Sequence, residues 1–354
     1  MSDQTPSDEI SVRREKLAAL RRQGPPAYRD RFETTHRLQD AAGLADDTGP
    51  VRVAGRVVAL RSFGKLTFGH LQDADGRLQF AAQKDVLGEG YGELKRTIDI
   101  GDFLGVAGTM FTTRTGEKTV RIDDWQLLSK SIRPLPDKFH GVADTELVRR
   151  KRYLELISDR EAVQRFRTRH RFIAAVRAYL VDHGFVEIDT PVLTNKASGA
   201  LAKPFVTHYD ALSTDVYLRI APETYLKRAV AAGFNRVFEV ARCFRNEGID
   251  PSHLPDFTMV EFYAAYWNYA DNMAFTEAMV KSLVETVAGG TTVRYGTSEV
   301  DFGGSWPRHS FRELIQRDSG IDIRAFPTAD ALREELRRRD LLLREDPNLT
   351  GAGY

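Results

Sequence analysis

A single cysteine in 354 residues, Cys243, leaves no partner for an intrachain disulfide and excludes a cysteine-rich zinc site. Long apolar runs are also missing. The stretch FIAAVRAYLV is broken by Arg177, so nothing here can span a membrane. The first residues, MSDQTPSDEI, are polar and hold no signal-peptide core. Together these absences fit a cytosolic, cytoplasmic protein. An excess of charge is lacking too, since Lys+Arg number 51 against 50 for Asp+Glu. No global field draws in a polyanion, which leaves only a local basic face for that purpose. No repeat is visible. What is present, 42% hydrophobic and 29% charged residues, describes an ordinary globular chain long enough for two domains.

The segment SDEISVRREKLAALRRQG reads as a helix that starts at Ser7 or Asp8 and stops at Gly24. Arg13, Arg14, Lys16, Arg21 and Arg22 give it a positive side, which is either solvated or, if a nucleic-acid module follows, a phosphate contact. From Val51 to Leu128 short strands and turns take over. Asp75-Gly76 and Thr115-Gly116 mark hairpins. Five short antiparallel strands suggest a small closed barrel of the OB type, with an open sandwich as the alternative. Ile132 to Gly141, with two prolines, reads as a linker. Beyond it, Phe172, Ile173, Val176, Tyr179 and Leu180 share one helical face that ends at Gly184. FVEIDTPVL then alternates as a strand, with Pro191 near its end. Strands and helices mix without a βαβ rhythm, which argues for an α+β domain on an antiparallel sheet. The expected division is a basic helical extension (1–50), a barrel (51–131), a linker (132–150) and an α+β domain (151–354).

The most informative stretch is FEVARCFRNEGIDPSHLPDFTMVEFYAAYWNY. Strand parity puts Glu239, Ala241, Cys243 and Arg245 on one face, and Phe257, Met259, Glu261 and Tyr263 on one face of the return strand. If the two faces coincide, small side chains leave space beneath a guanidinium, beside two carboxylates, a phenol and an aromatic ring. A core is not built that way. Arginine suits a carboxylate or phosphate held bidentately, and Phe257 suits base stacking. The competing reading is a surface salt bridge from Arg245 to Glu247 or Glu261.

FRNEG, His253, PDFTM and EFYAAY resemble motif 2 of class II aminoacyl-tRNA synthetases, in the version found in lysyl-tRNA synthetases. GFVEIDTPVL resembles motif 1, which forms the dimer interface of that class. SGALAKPFVTHYDAL and VYLRIAPETYLKRAVAAGF resemble the amino-acid-binding loop and the strand and helix after it. The barrel resembles the anticodon-binding OB-fold of the same subgroup, so the likeness covers nearly the whole chain. It implies ATP-dependent attachment of lysine to tRNA(Lys) through lysyl-adenylate, by a homodimer that uses Mg2+.

The resemblance assigns roles residue by residue. Arg245 bridges the α-phosphate of ATP and the lysine carboxylate, and stabilises the charge that builds in the transition state. Glu247 and His253 contact ATP, and Phe257 stacks on adenine. Glu223 receives the lysine α-ammonium with help from the backbone at Gly199. Glu261 and Tyr263 face the far end of the substrate. In the barrel, Arg61, Phe68 and Gln79 grip the anticodon, Phe68 by stacking and Gln79 by reading a uracil edge, with Glu117 beside them. A place for Phe68 inside the barrel core competes with that role.

Two departures from the family pattern stand out. Ser198 precedes Gly199 where the loop usually opens with two glycines. Family members also continue past NLTGAGY, with further sheet strands, the magnesium ligands, an acid for the lysine ε-ammonium and the motif 3 arginine. This chain therefore holds no expected metal ligand, and alone it is expected to form little lysyl-adenylate. It is either part of a full enzyme or a shortened relative. The alternatives to an enzyme acting on tRNA are a non-catalytic RNA-binding relic and a lysine ligase that modifies protein. The barrel speaks against the last.

Overall fold

Strand β1 (Val51–Phe63) shows the alternation that builds the first part of the chain. Val51, Val53 and Val57 are fully buried, and Arg52, Ala54 and Arg56 between them are not. This computed structural model describes residues 6–23, 26–135, 145–248, 250 and 253–341. Four more strands follow: β2 (Leu66–Gln72), β3 (Arg77–Gln83), β4 (Phe103–Thr112) and β5 (Lys118–Ser129). Each pairs with two neighbours in the order β1-β2-β3-β5-β4 and back to β1, so the sheet closes. Closure decides for the barrel over the sandwich and leaves no free edge. One pair, β3 with β5, is parallel, which corrects the all-antiparallel expectation. The reason is arithmetic: a closed ring of five strands cannot alternate direction all the way round.

Turn chemistry holds the register. Asp73 Oδ1 accepts from the amides of Asp75 (2.8 Å) and Gly76 (2.7 Å), closing the β2–β3 turn. Gly116, at φ +82°, allows the Thr113–Glu117 turn that joins β4 to β5. Phe80, Leu71, Met110 and Ile122 fill the interior.

Helix α1 (Pro6–Gln23) packs on this barrel. Arg13 is only 4% exposed and donates to the carbonyls of Ile100 (2.9 Å) and Ser131 (3.2 Å). Lys16 pairs with Asp99 at 2.6 Å. The expected positive side is thus divided: Arg13 and Lys16 are docking groups, while Arg14, Arg21 and Arg22 stay exposed. Gly24, the expected stop, lies outside the described residues. Helix α2 (Leu38–Ala42) buries Leu38 and Ala41. Helices α3 (Lys84–Leu87) and α4 (Glu89–Thr97), absent from the sequence reading, cover the barrel with Tyr91 and Leu94.

The linker expected at 132–141 lies mostly outside the described residues. After it come α5 (Thr145–Arg150), α6 (Arg152–Ser158) and α7 (Arg160–Asp182). The chain divides into compact units at 169/170. Residues 151–169 group with the barrel because Gln72 donates to Ile157 O (3.3 Å) and Arg160 to Asp73 O (3.2 Å).

In the second unit, FVEIDTPVL is two short strands rather than one: β6 (Val186–Glu187) and β7 (Leu193–Thr194). Pro191 lacks a donor and restricts Thr190 before it, so the ladder breaks there. β7, β8 (Val206–Tyr209) and β9 (Thr214–Leu218) form one antiparallel sheet in the order β7-β9-β8. Helix α8 (Glu223–Ala231) follows. β10 (Arg236–Phe244) lies between β11 (Asp256–Ala264), antiparallel, and β6, parallel. The expected antiparallel sheet therefore carries one parallel strand. Helix α9 (Tyr269–Ala288) begins at a capping box formed by Asn268 and Asp271. A small hairpin, β12 (Thr292–Tyr295) and β13 (Ser298–Asp301), precedes α10 (Phe311–Ser319) and α11 (Ala329–Arg338). Val176 and Leu180 of α7 and Met279 and Leu283 of α9 pack with Phe238 of β10, but Phe172 is 43% exposed, against expectation.

Lys130 anchors the barrel to its surroundings. Fully buried, it bonds Thr97 O (2.7 Å), Asp99 (2.5 Å) and Asp102 (2.7 Å). Burial raises the Asp102 carboxyl, and only the Lys130 ammonium and two backbone amides oppose it. Lys130→Met is expected to destabilise the barrel by about 3–5 kcal/mol, since it strands a buried carboxylate. Urea denaturation followed by circular dichroism measures this, and a loss under about 1 kcal/mol contradicts it.

Candidate functional site

The β10–β11 register sets Val237 opposite Tyr263, Glu239 opposite Glu261, Ala241 opposite Met259 and Cys243 opposite Phe257. Directly opposed residues share a face, so the two polar faces do coincide. The other face carries Phe238, Val240, Val260 and Phe262 into the core.

Arg245 follows the last paired residues of β10 and donates its backbone N–H to Pro255 O at 2.8 Å. Its guanidinium carbon lies 5.1 Å from the centroid of the Phe257 ring. The Arg245 Nε is buried and has no hydrogen-bond partner among the described residues. Among the described residues Arg245 forms no ion pair with Glu247 or Glu261, which disposes of the surface salt bridge. A buried, unpaired donor costs about 1–3 kcal/mol. An acceptor that reached it would recover that cost.

Of the two carboxylates on this face, one is structural. Glu239 is paired with Arg219 at 2.6 Å, both nearly fully buried, and Thr190 Oγ1 donates to it at 2.7 Å. Arg219 also donates to Thr190 O (2.9 Å) and Arg242 O (2.8 Å), tying β10 to the segments on either side. Glu261 remains, and accepts from Tyr263 O–H at 3.0 Å. Burial raises the Glu261 carboxyl, and the nearby Glu223 and Glu239 charges raise it further against the Tyr263 hydrogen bond and Lys227. Burial and Glu261 push the Tyr263 phenol up as well. Cys243 sits beneath, its thiol pushed up to about 11 by burial.

Glu223 begins α8, where Lys227 holds it at 2.5 Å while lying 5.8 Å above the Tyr263 ring. A cation is already accommodated between these groups. Gly199 has φ +90°, and a Cβ there would come within 3.0 Å of Glu223 Cβ and 3.1 Å of Ala221 Cβ. Only glycine lets that loop lie against the start of α8. The neighbouring Ser198 Oγ is 3.0 Å from Thr224 Oγ1. Glu247 is exposed and accepts from Lys203 N at 3.3 Å, and Asn246 N donates to Lys203 O at 2.8 Å. His253 is exposed and pairs with Asp250 at 2.6 Å. The fold thus gathers Arg245, Phe257, Glu261, Tyr263, Glu223 and Gly199, fastens Glu247 to the facing loop, and leaves His253 paired at the outside.

On the barrel, Arg61 stands opposite Phe68 in the β1–β2 register. Along β2 the inward positions are Thr67, Gly69 and Leu71, so Phe68 is half-buried on the outer side and not in the core. Gln79 is 9% exposed. Its amide donates to Glu117 Oε2 (2.6 Å) and accepts from Thr119 Oγ1 (2.8 Å), and His70 Nε2 lies 2.7 Å from Glu117 Oε1. His70, Thr119, Arg219 and Lys227 were not singled out from the sequence. His70 is two residues from Phe68, so strand parity alone was enough to place it on that face.

Known proteins agree with both halves. Residues 144–338 match the model for tRNA synthetases class II (D, K and N), and residues 51–128 match the OB-fold nucleic acid binding domain. A lysine–tRNA ligase of Magnetococcus marinus is 47% identical over 90% of this chain and 65% of its own length. One from Enterococcus faecalis is 43% identical over 90% and 66%, and one from Bacillus subtilis 38% over 96% and 70%. The chain belongs to the class II tRNA synthetases. It spans about two thirds of the length of these curated relatives.

In this class II synthetase chain the raised Glu261 carboxyl has a measurable consequence. The folded form keeps a proton that the unfolded chain has already lost, so the contribution of Glu261 to stability falls as pH rises from the ordinary carboxylate value to the raised one. Glu261→Gln is expected to melt at a higher temperature than the wild type at neutral pH, the gap closing as the pH is lowered to about 4. A constant difference across that range refutes the assignment.

Proposed function

We propose that this chain carries the ATP- and lysine-binding portion of a ligase that charges tRNA with lysine through lysyl-adenylate, with the barrel reading the anticodon. The observation that carries this reading is the Arg245 guanidinium, stacked on Phe257 with a buried Nε that has no partner among the described residues. A lysine carboxylate oxygen attacks the α-phosphorus of ATP. The new O–P bond forms as the bond to pyrophosphate breaks. Arg245 stabilises the negative charge on the phosphoryl oxygens and orients the carboxylate, and alignment of the two substrates supplies much of the remaining acceleration. The attacking carboxylate is already ionised, so no general base is needed.

Glu223 receives the substrate α-ammonium and the Gly199 backbone lies against it. Glu261 and Tyr263 face the side chain, Phe257 stacks on adenine, and Glu247 and His253 contact ATP from the loop. Among the described residues no three His, Cys, Asp or Glu side chains come together as a metal-binding group. Each step above rests on the chain's own side chains. The same reading proposes tRNA(Lys) as partner, a second copy docked through the motif 1 segment, and a cytoplasmic location. No helix is long and apolar enough to cross a membrane among the described residues.

Calorimetry on this chain tests the amino-acid site. L-lysine is expected to bind, and Glu261→Gln to weaken it by about tenfold or more, since it leaves a partly buried ammonium short of its counter-charge. Equal affinity in the variant overturns the role of Glu261. For the barrel, Phe68→Ala is expected to weaken binding of a hairpin RNA with a UUU loop by about 1–3 kcal/mol, the worth of one base stack. Unchanged affinity in a folded variant removes Phe68 from the RNA-binding face.

A further inference from the structure

We propose that His70 and Glu117 set the polarity of the Gln79 amide, and through it decide which pyrimidine the barrel accepts at one loop position. This rests on the barrel being the anticodon-reading face.

A glutamine amide can be turned over by half a rotation, exchanging its donor and acceptor ends. Here two neighbours meet it. Thr119 Oγ1, at 2.8 Å, is a hydroxyl that can either donate or accept, so it tolerates both orientations. Glu117, at 2.6 Å, is a carboxylate and only accepts, so the NH2 end must face it. Glu117 is therefore the group that decides.

Glu117 sits on the tight turn after β4 with its side chain 48% exposed, and needs a hold of its own. Its amide donates to Thr113 Oγ1 at 3.0 Å, which fixes the backbone. Its second carboxylate oxygen is 2.7 Å from Nε2 of His70, whose side chain is 17% exposed and which stands directly opposite Gln79 in the β2–β3 register. Because a carboxylate cannot donate, Nε2 carries the hydrogen. The result is a directed chain: His70 and Gln79 both donate to Glu117, and Thr119 donates to Gln79.

Direction matters because uracil and cytosine offer opposite patterns at the same edge. Uracil presents an N–H between two carbonyls, whereas cytosine presents a bare ring nitrogen beside an amino group. An amide locked in one orientation complements one pattern and sets like groups against each other in the other. An amide free to turn over accepts both. His70 is thus a positioning residue that acts through Glu117.

The test measures affinities of this chain for hairpin RNAs with UUU, CUU, UCU, UUC and CCC loops. For the wild type, one single-cytosine hairpin is expected to bind about tenfold more weakly than UUU. Glu117→Gln, which keeps the shape but can donate or accept, and His70→Leu, which removes the donor, are each expected to erase that preference. His70→Gln restores the donor and is expected to restore the preference. If both variants discriminate as the wild type does, or if His70→Gln fails to rescue, the inference falls and the anticodon reading stands. If the wild type binds UUU no better than CCC, the anticodon reading falls and the inference with it.

Discussion

Everything at the candidate active site depends on one constraint, the register between β10 and β11. With a side-chain period of two, a slip of one residue would turn Arg245's neighbours into the helix-covered core and bring Phe238 and Phe262 into the open. The core prevents that slip. Phe262 meets Phe185 and Phe275 at centroid separations of 5.6 and 5.5 Å, and Trp267 lies 5.1 Å from Phe275. These rings sit in tilted and edge-on arrangements that a shifted strand could not reproduce. Apolar packing on one side of the sheet thereby aims the polar chemistry on the other.

A second constraint follows from the facing carboxylates. Glu239 and Glu261 occupy opposed positions, and two free charges at that distance repel each other. Arg219 relieves this by neutralising Glu239 inside the sheet, within a cage of hydrogen bonds to Thr190 and Arg242. Such a pair adds little net stability compared with apolar packing, but it is costly to break. Its effect here is geometrical and electrostatic: three segments are tied together, and of the opposed pair Glu261 is left facing the open side. Cys243, whose thiol is held neutral, acts as a small apolar spacer in that floor rather than as a nucleophile.

Features that follow from local periodicity were legible in the sequence. The barrel strands, the Asp75-Gly76 and Thr115-Gly116 turns, and the shared face of Phe257, Glu261 and Tyr263 within one strand all come from parity and turn chemistry within a few residues, whereas the coincidence of that face with the one carrying Glu239 and Cys243 needed the strand register. Features that depend on a distant partner were not. Arg13 reads as one more solvated cation on a basic helix, and only the carbonyls of Ile100 and Ser131 make it a buried anchor. Glu239 reads as a site acid until Arg219 is brought beside it. FVEIDTPVL alternates like one strand; Pro191 breaks its ladder locally, but that the two ends join different sheets depends on distant strands. Parity placed Phe68 on a face, but which face is outward is set by the closure of the whole ring.

The two candidate sites use buried polar groups in opposite ways, and the difference fits what each is proposed to hold. At Arg245 a donor has no partner among the described residues, at a cost of about 1–3 kcal/mol to the fold. An anion that arrives there recovers that cost and needs little rearrangement, because Phe257 already fixes the guanidinium. At Gln79 both ends of the amide are engaged, so the fold carries no such penalty and little is left over for affinity. What a fully engaged amide offers instead is a fixed direction. Unpaired donors favour tight capture of charge; locked donors favour discrimination between bases of nearly equal size. Under the proposed reading, a triphosphate to hold and one pyrimidine to tell from another give physical reason to keep both arrangements, on separate folds.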